Sequence, residues 1–128
     1  MSRAADLRVQ INEKDTYRFT ATLKDEDGTV IPLASLTTLT VSLYRKADPT
    51  IFVNSRNAQD CKNANDGTFH ATSGLFTHLF KVLDSTFQSG VTASMDSHCA
   101  LFIWTYNSGA KRNSYLLELQ IQSQPVDA

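Results

Sequence analysis

Few residues in this 128-residue chain could do chemistry: three histidines, two cysteines, an acidic turn and scattered serines. Zinc needs three or four nitrogen, sulfur or carboxylate ligands converging within bond length. His70 and His78 fall on adjacent expected strands, and no second Cys or His at short spacing supports either. Ser97 and His98 suggest a nucleophile and its base, but neighbours on a strand point to opposite faces and cannot easily meet. No G-x-S-x-G elbow is present, and five glycines leave little backbone for a phosphate cradle. The turn Asp25-Glu26-Asp27-Gly28 lacks the ligand spacing and distal glutamate of a calcium loop, so it is expected to be a solvated turn. Cys99 is expected to be a small buried hydrophobe. Cys61 falls in a polar loop, and no disulfide between the two is expected in a reducing compartment. The chain is therefore expected to hold no catalytic residue, no metal and no cofactor.

The stretch HCALFIWTY, residues 98–106, organises the rest. As a strand it points Ala100, Phe102, Trp104 and Tyr106 one way and Cys99, Leu101 and Ile103 the other. Both sets are apolar, which predicts a central strand covered on both sides. After the break Asn107-Ser108-Gly109-Ala110, Tyr115, Leu117, Leu119 and Ile121 alternate with polar residues, giving a closing hairpin.

Earlier in the chain, Leu7, Val9 and Ile11 alternate with polar residues, as do Tyr17, Phe19, Ala21 and Leu23. Asp27-Gly28 supplies the positive φ of a tight turn, and Pro32 stops a brief pairing over 29–31. Leu39, Val41 and Leu43 mark another strand, followed by short ones at 51–53 and 68–71 and a longer one at 75–83. Residues 54–66 are an asparagine-rich ordered loop with one helical turn near 58–62. Residues 84–95 lack a clear period. Seven to nine short strands with no convincing helix predict an all-β, antiparallel immunoglobulin-like sandwich. The length suits one domain over 1–128, with short flexible tails at 1–6 and 123–128.

Net charge is −1, and the basic residues are scattered. A phosphate-neutralising field needs clustered Lys and Arg, so nucleic acid is not an expected partner. No apolar run approaches a membrane span, and MSRAADLRV lacks the apolar stretch of a signal peptide. Neither a membrane nor secretion is expected.

What remains is protein contact. The loops 54–66 and 84–95 have the length and polarity for it. The candidate interface residues are Phe87, alone in a polar loop, and Asn54, Arg56, Asn57, Asp60, Asn63 and Asn65. The two tails are expected to contribute as well. The alternative class is a lectin-like carbohydrate- or receptor-binding module, with Tyr44 or Trp104 stacking on a sugar. Trp104 sits in the most apolar strand, which argues for its burial.

The succession DEDGTVIPLASLTTLTVSLYRK, IFVNSRNAQD, NANDGTF, SGLFTHLFKVLD and HCALFIWTYNSG resembles small virion proteins of tailed bacteriophages. Those proteins carry an acidic-Gly turn, a Leu-Thr-rich strand, an Asn-Arg-Asn-x-x-Asp loop and an H-x-A-L-F-x-W-T-Y strand before a Gly hairpin. The likeness runs from about Asp25 to Ile121 through Asp27, Gly28, Asn54, Arg56, Asn57, Asp60, Gly74, Leu75, Asp84, His98, Ala100, Leu101, Phe102, Trp104 and Gly109. Asp96 fills the family's acidic place two before the histidine, although the loop before it is atypical. The resemblance implies an immunoglobulin-like or baseplate-upper-protein-like β-domain with a structural role on the virion. It further implies assembly in the host cytoplasm, in many symmetric copies contacting other virion proteins. Capsid decoration, the head-tail neck and tail or baseplate attachment are the places such domains occupy.

Overall fold

The computed structural model describes residues 5–87 and 95–123. Eight strands form: β1 (Ala5–Asn12), β2 (Tyr17–Thr22), β3 (Leu36–Arg45), β4 (Gln59–Asp60), β5 (Gly67–Phe69), β6 (Leu75–Phe80), β7 (Met95–Tyr106) and β8 (Lys111–Gln122). They build a five-stranded sheet in the order β1-β8-β7-β3-β4 and a three-stranded sheet in the order β2-β6-β5. That division of strands between two packed sheets is the immunoglobulin-like sandwich, so the expected class holds. The interior is lined by alternate residues of each strand, including Phe19, Leu39, Val41, Leu43, Phe76, Phe80, Phe102, Trp104, Leu117, Leu119 and Ile121. Immunoglobulin domains join the strands equivalent to β2 and β7 by a disulfide. Here Phe19 of β2 stacks on Phe102 of β7, ring centroids 5.3 Å apart and planes 10° from parallel. Cys61 and Cys99 are free and buried, and burial pushes the Cys61 thiol up to about 12.

Several expectations change. The sandwich is not wholly antiparallel: β1 pairs with β8 in parallel, from Ala5 opposite Tyr115 to Asn12 opposite Gln122. Residues 5 and 6 of the expected N-terminal tail thus belong to a sheet, while 1–4 and 124–128 lie outside the described residues. β7 is central, but its two faces are not equally covered. Its inward residues are buried, whereas on the outward face Cys99 is buried and Leu101 and Ile103 are half-buried. The helical turn expected near 58–62 is absent, since Gln59 and Asp60 pair with Val41 and Thr40 of β3. The strand expected at 51–53 shrinks to a single bridge, Tyr44 to Phe52, while the brief pairing expected over 29–31 is present as the bridge Lys24 to Val30. β6 stops at Phe80, and residues 82–85 instead form one helical turn, α1 (Val82–Ser85).

Two glycines are required by geometry. Gly28 takes φ +80° in the acidic turn, as Asp-Gly predicts. Gly67 starts β5 against Cys61, where an added Cβ would lie 2.1 Å from the Cys61 carbonyl oxygen.

Candidate interaction surface

The strand directions gather the β1–β2, β3–β4 and β6–β7 connections at one end of the sandwich. The backbone ties them there: Lys14 N–H donates to Ser85 O at 3.4 Å, and Lys46 N–H to Ser97 O at 2.8 Å. Arg56 anchors this end. It is 1% exposed, and its guanidinium donates to both Asp84 oxygens, from Nε at 2.6 Å and Nη2 at 2.8 Å. It also donates to Asp66 Oδ2, Gln59 Oε1 and the Asn65 carbonyl. Asp84, fully buried on α1, accepts further bonds from Asn54 Nδ2 and Lys81 N–H. Burial alone would lower the Arg56 pKa, but the Asp84 and Asp66 carboxylates outweigh it and the guanidinium is held above its ordinary value. All this polar chemistry is directed inward, where each charge meets its counter-charge.

The asparagine-rich loop is likewise occupied with itself. Asn54, Asn63 and Asn65 adopt positive φ, the backbone region asparagine tolerates best outside glycine. Asn63 Oδ1 accepts the Phe69 N–H at 2.6 Å, and Asn65 Nδ2 donates to the Asp60 carbonyl at 2.8 Å. The Asp60 carboxylate caps the Lys62 N–H. Of the seven candidate interface residues, the structure therefore turns Arg56 into the core, ties Asn54 to Asp84 on α1, and engages Asp60, Asn63 and Asn65 in bonds to the loop and β5. Asn57 is exposed, with no side-chain hydrogen bond to a described residue. Phe87 is not a free anchor: it is half-buried, packs against the core and donates its N–H to Glu13 Oε2. Residues 88–94 of the expected loop lie outside the described residues.

Sequence reasoning missed the apolar character of this end. Among the described residues, the exposed large hydrophobics are Leu7, Val30, Ile51, Phe52, Leu75, Val82, Leu83 and Met95. Five of them belong here: Ile51 and Phe52 after β3, Val82 and Leu83 on α1, and Met95 opening β7. The Asn54–Asp84 hydrogen bond fastens the first group to α1, and the Arg45–Asp96 ion pair fastens it to β7. No periodicity signals such a cluster, because its members are spread over the β3–β4 connection, α1 and the start of β7.

The histidines do not converge. His70 is exposed in a turn, its Nδ1 accepting the Thr72 and Ser73 N–H groups. His78 is fully buried on β6 between Phe80 and Phe102, with centroids 4.7 and 5.5 Å away. His98 is buried on β7, its Nδ1 2.8 Å from the Asp84 carbonyl. Burial lowers both buried rings, His78 to about 4.

At the opposite end, Asp25, Glu26 and Asp27 bring carboxylate oxygens within 4.8 Å of one another. The turn is internally satisfied: Asp25 Oδ1 accepts the Asp27 and Thr29 N–H groups, and Glu26 accepts from Tyr106 Oη and Lys111 Nζ. Those hydrogen bonds, the Lys111 ammonium first, lower the Glu26 carboxyl to about 2. Trp104 is 1% exposed, with its Nε1 donating to the Lys24 carbonyl at 3.2 Å. It is not open to a sugar, which leaves half-buried Tyr44 as the aromatic a lectin-like site would need. Tryptophan emission of the native chain should accordingly be blue-shifted and resist acrylamide. Red-shifted, freely quenched emission would contradict this burial.

No protein-family model matches the chain, and no curated protein matches it. Among solved structures, the crystal structure of the titin M3 domain is similar over 92% of this chain and 88% of that chain, at 12% identity and a TM-score of 0.39. No described helix is long and apolar enough to cross a membrane.

Proposed function

We propose that this chain is a non-enzymatic structural subunit of a tailed-bacteriophage particle, binding neighbouring virion proteins as capsid decoration, at the head-tail neck or at a tail attachment. The ordered series of motifs shared with small virion proteins supports the particle. The observation that carries a contact role is the cluster of exposed Ile51, Phe52, Val82, Leu83 and Met95 around one end of a rigid sandwich. Exposed apolar side chains gathered in one place mark protein contacts. Here Ile51, Phe52, Val82 and Leu83 lie close in the chain to residues tied together by the Arg56–Asp84 pair and its bonds to Asn54 and Lys81, so ordering them on binding costs little. Arg45, Arg56, Asp66, Asp84 and Asp96 at the same end are engaged in pairs inside the domain, which suits holding a shape better than turning over a substrate.

Gradient-purified particles of the source phage are expected to contain the chain at a symmetry-related copy number, and its absence from them would refute the reading. Leu83→Asp, at a position 62% exposed, should leave the melting temperature of the free domain within about 2 °C of the parent. It should reduce incorporation into particles several-fold. Full incorporation of Leu83→Asp together with Phe52→Asp would remove this end of the domain from the contact.

A further inference from the structure

We propose that the open edge of β2 is a self-association surface on which a second copy of this chain lays its own β2, antiparallel, about a two-fold axis through Thr20. The parity of the ladder defines the surface. Leu23 N–H donates to the Gly74 carbonyl at 2.9 Å, and Thr22 lies opposite Leu75. Hydrogen-bonded residues alternate along an antiparallel strand. Tyr17, Phe19, Ala21 and Leu23 therefore point their backbone groups toward β6, while Arg18, Thr20 and Thr22 point theirs away. All three are exposed, and no described residue hydrogen-bonds those outward groups.

This edge lacks the devices that keep sheets apart. Natural edges are shortened, bulged, or broken by proline or several charges. β4 and β5, at the far edges of the two sheets, have two and three residues. β2 has six, Tyr-Arg-Phe-Thr-Ala-Thr, in unbroken register with β6, with no proline or glycine and a single charge.

The spacing of that charge selects a second copy in one register. With the axis through Thr20, Thr20 faces its own counterpart and Arg18 faces Thr22. All three outward residues of each copy then pair within β2, and each pair exchanges two backbone bonds. The two arginines stand four positions apart, about 13 Å at strand spacing, which exceeds the Debye length at 0.1 M salt. Centring the axis on Arg18 would oppose the two arginines, and centring it between Thr20 and Thr22 would oppose Arg18 to Lys24. On the outward face, Thr20 lies beside Thr77, and Thr77 beside Thr68. The axis would continue that threonine row into the partner, and cross-strand threonine pairs stabilise sheets. The chain already makes one such pair, Thr38 Oγ1 to Thr105 Oγ1 at 2.6 Å between β3 and β7.

Sedimentation of the full chain across a concentration series tests it. The parent should show a reversible monomer–dimer equilibrium below about 1 mM. Thr20→Pro removes an N–H that takes no part in the β6 ladder, so its circular dichroism should match the parent while dimerisation weakens about tenfold or more. Thr20→Lys and Thr20→Glu keep the backbone and oppose like charges at the axis. Each alone should be monomeric, and their equimolar mixture should dimerise. This charge pair decides the matter if the proline variant fails to fold. A parent that stays monomeric, variants that associate like the parent, or a mixture that fails to recover the dimer would each overturn the proposal.

Discussion

Arg56→Ala is expected to cost the domain about 3–5 kcal/mol, a large share of the roughly 5–15 kcal/mol that holds a single domain together. The Asp84 carboxylate is fully buried, and Arg56 supplies two of the hydrogen bonds that hold it. Removing the guanidinium leaves that anion desolvated, with only Asn54 Nδ2 and the Lys81 N–H as donors. It also frees Asp66, which then keeps only Lys81 as an ionic partner. The pair is not required because it binds strongly in net terms; it is required because half of it cannot remain alone. Arg56→Met combined with Asp84→Leu should therefore recover more than half of the loss. Urea unfolding of the single and double variants measures both quantities. A single variant within about 1 kcal/mol of the parent would show that the cluster is solvated in solution.

Acid should weaken the fold through His78, and in a defined window. Its ring is enclosed by Phe76, Phe80 and Phe102, and neither nitrogen has a hydrogen-bond partner among the described residues. Desolvation, with Arg56 adding repulsion, lowers its pKa from 6.5 to about 4, although Asp84 and Asp66 oppose the shift. The unfolded chain thus takes up a proton as pH falls below 6.5, while the folded chain stays neutral until about 4. Stability is full above the unfolded value and lost on the way down. At about 1.4 kcal/mol for each pH unit, the loss across the window is about 3 kcal/mol, and it is constant below. His98, also lowered by burial, contributes in the same direction. His78→Leu preserves the volume and removes the titration. It should flatten the stability profile between pH 6.5 and 4 and match or exceed the parent at pH 7.5. An unchanged profile would place the acid sensitivity elsewhere.

Much of the architecture is legible from period alone. Alternation at Tyr17–Phe19–Ala21–Leu23, at Leu39–Val41–Leu43 and at Tyr115–Leu117–Leu119–Ile121 marks strands whose inner faces belong to the core, with Tyr17, Ala21 and Tyr115 half-buried at its margin. Gly28, Asn107 and Gly109 take the positive φ their residue types favour. These properties are local: a side-chain period of two and a turn's backbone preference are complete within a few residues. The site was less legible. Arg56 and the asparagines were recognisable as unusual in a loop, but a polar residue looks the same in sequence whether its partner is a neighbouring protein, solvent or Asp84, 28 residues away. His78 and His98 sit in alternating strands, where nothing but the sheet register tells inward from outward.

The β-sandwich class and the apolar face of each long strand are readable from the residues alone, because they depend on short-range pattern and backbone preference. It takes the packed fold to show that β1 joins β8 in parallel, that Arg56 and Asp84 neutralise each other inside, and that five exposed apolar side chains lie at one end. Each of those depends on residues far apart in the chain being brought together, and burial, charge compensation and edge exposure have no value until that packing exists.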